Sequence, residues 1–106
     1  MIVVTSGHIE GKIIKQTLGI SSGNTVRSRN IGKDITAAFR NIVGGEVMEY
    51  AQLLSSSRSQ AIERMIDHAE NMGANAVVDV RITTSAVMAG TSEILAYGTA
   101  VILEDE

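Results

Sequence analysis

The chain contains no cysteine, no proline and no tryptophan, and its only aromatics are Phe39, Tyr50 and Tyr97. Without cysteine there is no disulfide framework, thiolate zinc site, iron–sulfur cluster or cysteine nucleophile. Without proline, glycine supplies nearly all the punctuation. Each large aromatic would bury about 150–250 Å², so a core of small and aliphatic groups lacks one common source of buried area. That shortage favours a stabilising subunit partner. Long apolar runs are missing too, and none approaches the roughly 20 residues needed to span a bilayer. The opening MIVVTSGHIEG lacks the basic region and apolar length of a signal peptide. The expectation is a cytoplasmic protein with no membrane partner.

What is present suits one globular domain over residues 1–106, 44% of it hydrophobic. The net charge is −3, and the basic residues are scattered apart from Arg27, Arg29 and Lys33. No aromatic lies among those three to stack on a base, and nucleic-acid binders concentrate positive charge on one face. Nucleic acid is therefore not expected as a partner. The acidic end, Glu104-Asp105-Glu106, reads as solvated.

Ile2–Thr5 is a short β-branched run closed by the turn signal Ser6-Gly7-His8. Gly11–Ile20 alternates loosely, Ser21-Ser22-Gly23-Asn24 reads as a turn, and Thr25–Ser28 resumes the strand. Asp34 marks a helix start, with Ile35, Phe39, Ile42 and Val43 as its apolar stripe. Gly44-Gly45 ends it. A second helical pattern runs from Glu46 to Met72, with Val47, Tyr50, Ala51, Leu54, Ala61, Met65, Ile66, Ala69 and Met72 on one face. Such a helix is about 40 Å long, whereas a compact domain of this size is roughly 33 Å across. Either it breaks at Ser55-Ser56-Ser57, where helix propensity is modest, or it outreaches its own subunit. The stripe keeps phase across the serines, which favours the second. Arg58 interrupts the stripe. It reads as a snorkelling side chain, or as a guanidinium gripping a carboxylate of another subunit or a ligand.

Gly73 ends the long helix, with Asn75 expected to bond local backbone in the turn. In the following strand Asp79 and Arg81 share a face and are placed to pair. Ile94–Leu103 is apolar on both faces, so it needs cover on both sides. The helix can supply one cover; the other must be a further element or another subunit. Between the strands, Thr84–Ser92 reads as a loop too long for a tight hairpin, with Val87 and Met88 at its middle.

From Gly32 onward the chain resembles the YbjQ family (UPF0145). The resemblance rests on Gly44-Gly45-Glu46 with Tyr50, on Arg58 with Ala61, and on Ala69 with Gly73-Ala74-Asn75-Ala76-Val77-Val78. Glu93-Ile94 and Tyr97-Gly98-Thr99-Ala100-Val101 complete it. The N-terminal third fits more loosely, through Thr5, Gly11 and Val26-Arg27. The resemblance implies an α+β fold: a dodecin-like β-α-β-β subunit, its antiparallel sheet packed on a long helix, assembled as a ring-shaped homopentamer. It also implies heavy-metal binding.

Soft metals favour thiolates and imidazoles, and the chain offers only His8 and His68. His68 has Glu63, Asp67 and Glu70 near it in sequence, but acids so spaced more often form a solvated helix face. His8 follows a glycine turn, where copies of it in a ring could share an ion, so a metal site between subunits is favoured over one within a subunit. Nothing points to catalysis. The serines at 55–57 and 59 accompany no paired His and Asp, and no nucleophile elbow exists. Gly44-Gly45-Glu46 reads as a helix junction rather than an anion site, because Glu46 already complements the dipole and no P-loop lysine follows. The alternative function is a scaffolding or organic-ligand ring with pockets between subunits lined by Arg58, Met88 or Tyr97.

Overall fold

A computed structural model describes residues 1–28 and 45–106, with side chains for 1–28 and 51–106. In chain order come β1 (Ile2–Val3), β2 (Lys12–Ser28), α1 (Gly45–Asn71), β3 (Ala76–Met88) and β4 (Thr91–Asp105). The sheet order is β1-β3-β4-β2. β4 pairs antiparallel with β2 and with β3, while β1 joins β3 in parallel. The sheet is therefore mixed rather than wholly antiparallel as the resemblance implied. The helix expected over residues 34–43, and Gly44 that closes it, lie outside the described residues.

The long helix is continuous through Ser55-Ser56-Ser57. Ser57, Ala61, Met65 and Ala69 recur every fourth residue and are fully buried, the spacing that stacks side chains on one face. With Val77, Val80, Ile94, Ala96 and Ala100 of the sheet, Ala61, Met65 and Ala69 make the main core. Ser57, not Arg58, holds the core position, and Arg58 falls on the exposed side. The stripe drifts by one residue because 3.6 does not divide evenly into repeats of four.

Ser21-Ser22-Gly23-Asn24 is not a turn. β2 runs straight through it, paired from Ser21↔Gly98 to Asn24↔Leu95. The small residues are there because α1 crosses at this point. A β-carbon on Gly23 would lie 2.3 Å from the Met65 amide nitrogen and 2.4 Å from the Ala61 carbonyl. On either side, the buried Ser21 hydroxyl donates to the Met65 carbonyl at 2.6 Å and the Thr25 hydroxyl to the Ser57 carbonyl at 3.2 Å. Small polar residues mimic a turn in sequence, but here they admit a helix backbone and satisfy their own hydroxyls on it.

Thr84–Ser92 likewise is not a loop. β3 extends to Met88, β4 begins at Thr91, and Ala89-Gly90 is a two-residue turn with Gly90 at φ +73°. A bulge between Val78 and Arg81 overturns the expected Asp79–Arg81 pair. Asp79 takes φ 54° and its carboxylate lies over Gly7, while Arg81 donates to the carbonyls of Thr5 and Val80 at 2.9 and 2.8 Å. An extra residue in one strand breaks the two-residue alternation on which the pairing depended.

The second face of the sheet is covered in part by the chain itself. Val4 and Ile9 pack on Ala76, Val78, Val101 and Leu103. Elsewhere on that face Ile20, Val26 and Tyr97 are exposed, while Ser22, Leu95 and Thr99 are half-buried.

Candidate functional site

The two imidazoles belong to elements on opposite faces of the sheet. His8 lies in the β1–β2 connection beside Ile9, which packs on the face away from α1, and the Ser6 hydroxyl donates to its backbone carbonyl at 2.8 Å. His68, on α1, leans over the β2 edge, and its Nδ1 accepts the Ser22 amide at 3.1 Å. α1 covers one face of the sheet and the β1–β2 connection the other, so one subunit does not bring the histidines together. Among the described residues no group of three or more His, Asp or Glu side chains could hold a metal ion. His68 has a defined tautomer all the same. An Nδ1 that accepts an amide hydrogen carries no proton in the neutral ring, which puts the proton on Nε2. Nε2 is then a hydrogen-bond donor, and it becomes a metal ligand only if the Ser22 bond is released and the proton moves to Nδ1.

The three proposed ligand contacts are also apart. Arg58 is exposed on the helix, and among the described residues it makes no hydrogen bond or ion pair. Tyr97 stands on the sheet face away from the helix, opposite Arg81 and Ser22. Met88 is at the tip of the β3–β4 ribbon, six residues of β4 and hence about 20 Å from Tyr97.

The glycine and asparagine motif positions resolve into distinct jobs. Gly73, at φ +91°, is the left-handed cap of α1. Its amide donates to Glu70 at 2.9 Å and the next amide, Ala74, to Ala69 at 3.0 Å, the paired bonds of a Schellman motif. Asn75 does not bond locally. Its Nδ2 donates to the Leu103 carbonyl at 2.9 Å and its Oδ1 accepts the Leu103 amide at 2.7 Å, so a side-chain amide replaces a strand at the end of β4. A β-carbon on Gly98 would lie 2.7 Å from Val77 Cγ1 and 2.9 Å from the Val78 carbonyl, so the ribbon closes on it. Gly45 opens α1.

Sequence reasoning missed how α1 treats the edge of β2. Besides His68, Arg64 donates to the Asn24 carbonyl at 2.6 Å. Arg27 reaches back from the strand, its Nε donating to the Ser57 hydroxyl at 3.0 Å and one terminal nitrogen to Gln60. Residues 57, 60, 64 and 68 share one side of a helix at spacings of three and four. That spacing was the available signal, but nothing in the sequence said that a strand edge ran beside it. At the other end of β2, Lys12 pairs with Asp105, and the bond from Lys12, then its charge, holds the Asp105 carboxyl below its ordinary pKa.

Among the described residues no helix is long and apolar enough to cross a membrane. A family model described as "Putative heavy-metal-binding" matches residues 1–104. A UPF0145 protein of Clostridium perfringens is 50% identical over 105 residues, 99% of each chain. One of Methanosarcina acetivorans is 54% identical over 101 residues, 95% of each. The crystal structure of a protein of unknown function from Pediococcus pentosaceus, assigned to the DUF74 family, superposes with a TM-score of 0.68. It covers 98% of both chains at 13% identity, which speaks for the fold alone. Matched along nearly its whole length by that model and by relatives at about half identity, the chain belongs to the YbjQ (UPF0145) family.

Proposed function

We propose that the protein is a non-catalytic cytoplasmic homo-oligomer, a dodecin-like ring of the homopentameric kind, that holds a metal ion between subunits. The observation that carries this reading is the placement of His8 and His68 on elements that cover opposite faces of one sheet. Neighbours in a ring meet through different surfaces of the same chain, so the His8 surface of one copy can face the His68 surface of the next, where metal binding would replace the Ser22 bond of His68. Imidazoles without thiolates suit zinc, nickel or copper(II) better than the softest ions, and Asp67 beside His68 offers a carboxylate. The family model's description points the same way.

Elemental analysis of the purified oligomer, before and after dialysis against chelator, tests it. Stoichiometric metal is expected in the wild type, with loss in His8→Ala and in His68→Gln, the latter retaining an acceptor for the Ser22 amide. A metal-free wild type that also fails to take up zinc, nickel or copper would sink the proposal. A second reading, a scaffold or organic-ligand ring, is favoured by the exposure of Arg58, Met88 and Tyr97 on separate surfaces, which only different subunits could bring into one pocket. Small-molecule mass spectrometry on the same sample separates the two.

A further inference from the structure

Among the described residues Asp79 alone has a positive φ without being glycine, at 54°. A β-carbon is strained in that region, and residues held there concentrate at functional sites. The bulge between Val78 and Arg81 puts Asp79 in this conformation, and its amide is tied to the Ser6 carbonyl at 2.9 Å. The side chain then lies over Gly7. A β-carbon built on that glycine would stand 3.0 and 3.1 Å from the two carboxylate oxygens, so the absence of a side chain at residue 7 is what admits the carboxylate.

The carboxylate is placed but not used. Among the described residues it accepts no hydrogen bond and joins no ion pair. Arg81, two residues on, is the nearest cation in sequence, yet it donates to the carbonyls of Thr5 and Val80 at 2.9 and 2.8 Å. A carboxylate that served only the bulge would bond a neighbouring amide or pair with Arg81, and this one does neither. Asp79 and His8 are both exposed. His8 follows Gly7 directly, and successive Cα atoms are about 3.8 Å apart, so the His8 Cα lies within about 8 Å of the carboxylate oxygens. An imidazole and one zinc ion, at about 2 Å to nitrogen and about 2 Å to oxygen, span a gap of that size.

We propose that Asp79 and His8, brought together across Gly7, form a half-site for a divalent transition-metal ion. This deepens the metal reading above and rests on it. One imidazole and one carboxylate suit zinc, nickel or copper(II). Two donors do not fill a tetrahedral shell, in keeping with the lack of any group of three His, Asp or Glu among the described residues. Water, or the His68 surface of the next copy, takes the remaining positions. Asp79 supplies the negative charge that neither histidine offers, so the metal affinity of the His8 surface depends on it.

The test compares the wild type, Asp79→Asn and Asp79→Gly by zinc affinity, in competition with a chromophoric chelator, and by melting temperature with and without zinc. Asparagine keeps the shape and tolerates a positive φ, and glycine removes the conformational constraint. Without metal, both variants are expected to melt at or above the wild-type temperature. Both are expected to bind zinc roughly tenfold more weakly or worse, with a smaller rise in melting temperature on adding zinc. Wild-type affinity in the variants overturns Asp79 as a ligand and leaves the metal reading standing. If one variant melts low, the other decides; if both melt well below the wild type without metal, the carboxylate serves the fold and the half-site is overturned. A wild type that takes up no zinc, nickel or copper overturns both readings.

Discussion

At the scale of single residues, Asn75 has the most consequence for its size. Both polar atoms of its amide are used on Leu103, so truncation leaves a strand-end amide and carbonyl without partners. Asn75→Ala should cost about 1–3 kcal/mol, read from the urea midpoint at unchanged slope. Gly73 differs in kind. Nothing lies within 4 Å of where its β-carbon would be, yet its φ is +91°, so the cost of Gly73→Val is conformational and should exceed about 1 kcal/mol. Asp105 provides a pH test. Its folded pKa lies below the unfolded one because of Lys12, so its contribution is present above the unfolded value and is lost as pH falls through the folded one. The pair is exposed and screened. Asp105→Asn should therefore be slightly less stable than the wild type near neutrality, with the two converging in acid and in high salt. Gly73 was legible as a cap because φ follows from local sequence. Asn75's partner was not, because Leu103 is 28 residues away and comes close only when β4 pairs with β3.

Among elements, the contact of α1 with β2 decides the most. Gly23 lets two backbones approach closer than any side chain allows. Gly23→Ala should then cost about 3 kcal/mol or more, since the obstruction is backbone that no rotamer change can clear. Thermal unfolding of that variant checks it, and a melting temperature equal to the wild type would show that the helix can lift at no cost. The helix itself was legible because its apolar stripe has its own period. The second cover read for β4 is met at Val101 and Leu103 by Val4 and Ile9 but not at Tyr97, which is exposed. The turn read at residues 21–24 and the loop read at 84–92 failed for a shared reason. Small polar and glycine residues signal a turn only where nothing crosses them, and crossing is a tertiary fact. In β2 a helix crosses; in the ribbon, Ala89-Gly90 concentrates the reversal into two residues.

For the whole molecule, the N-terminal segment closes one end of the second sheet face, and Ile20, Val26 and Tyr97 beyond it are exposed. Val4→Asp would set a carboxylate against Ala76, Val78, Val101 and Leu103. A destabilisation of about 2–4 kcal/mol is expected from burying an unpaired polar group, measured by chemical denaturation. The helix is continuous but does not outreach its own subunit, because the longest principal extent of 57 Å exceeds its length of about 40 Å; the chain is elongated rather than compact. The candidate site was legible only as a shortage of ligands. Counting two histidines and no cysteines needs no structure, whereas their separation across the sheet does.

The sequence by itself determined the chemistry available to this protein and the elements whose periodicity is local: no thiolates, two imidazoles, one long amphipathic helix, a glycine cap and a doubly apolar last strand. Tertiary structure alone decided how the N-terminal segment flanks β3, where the helix backbone presses on the sheet, and that His8 and His68 belong to elements on opposite faces of it. The division is physical. Composition and period follow from neighbouring residues, while edges and close approaches are made by groups far apart in the chain, whose meeting depends on the order of strands in the sheet.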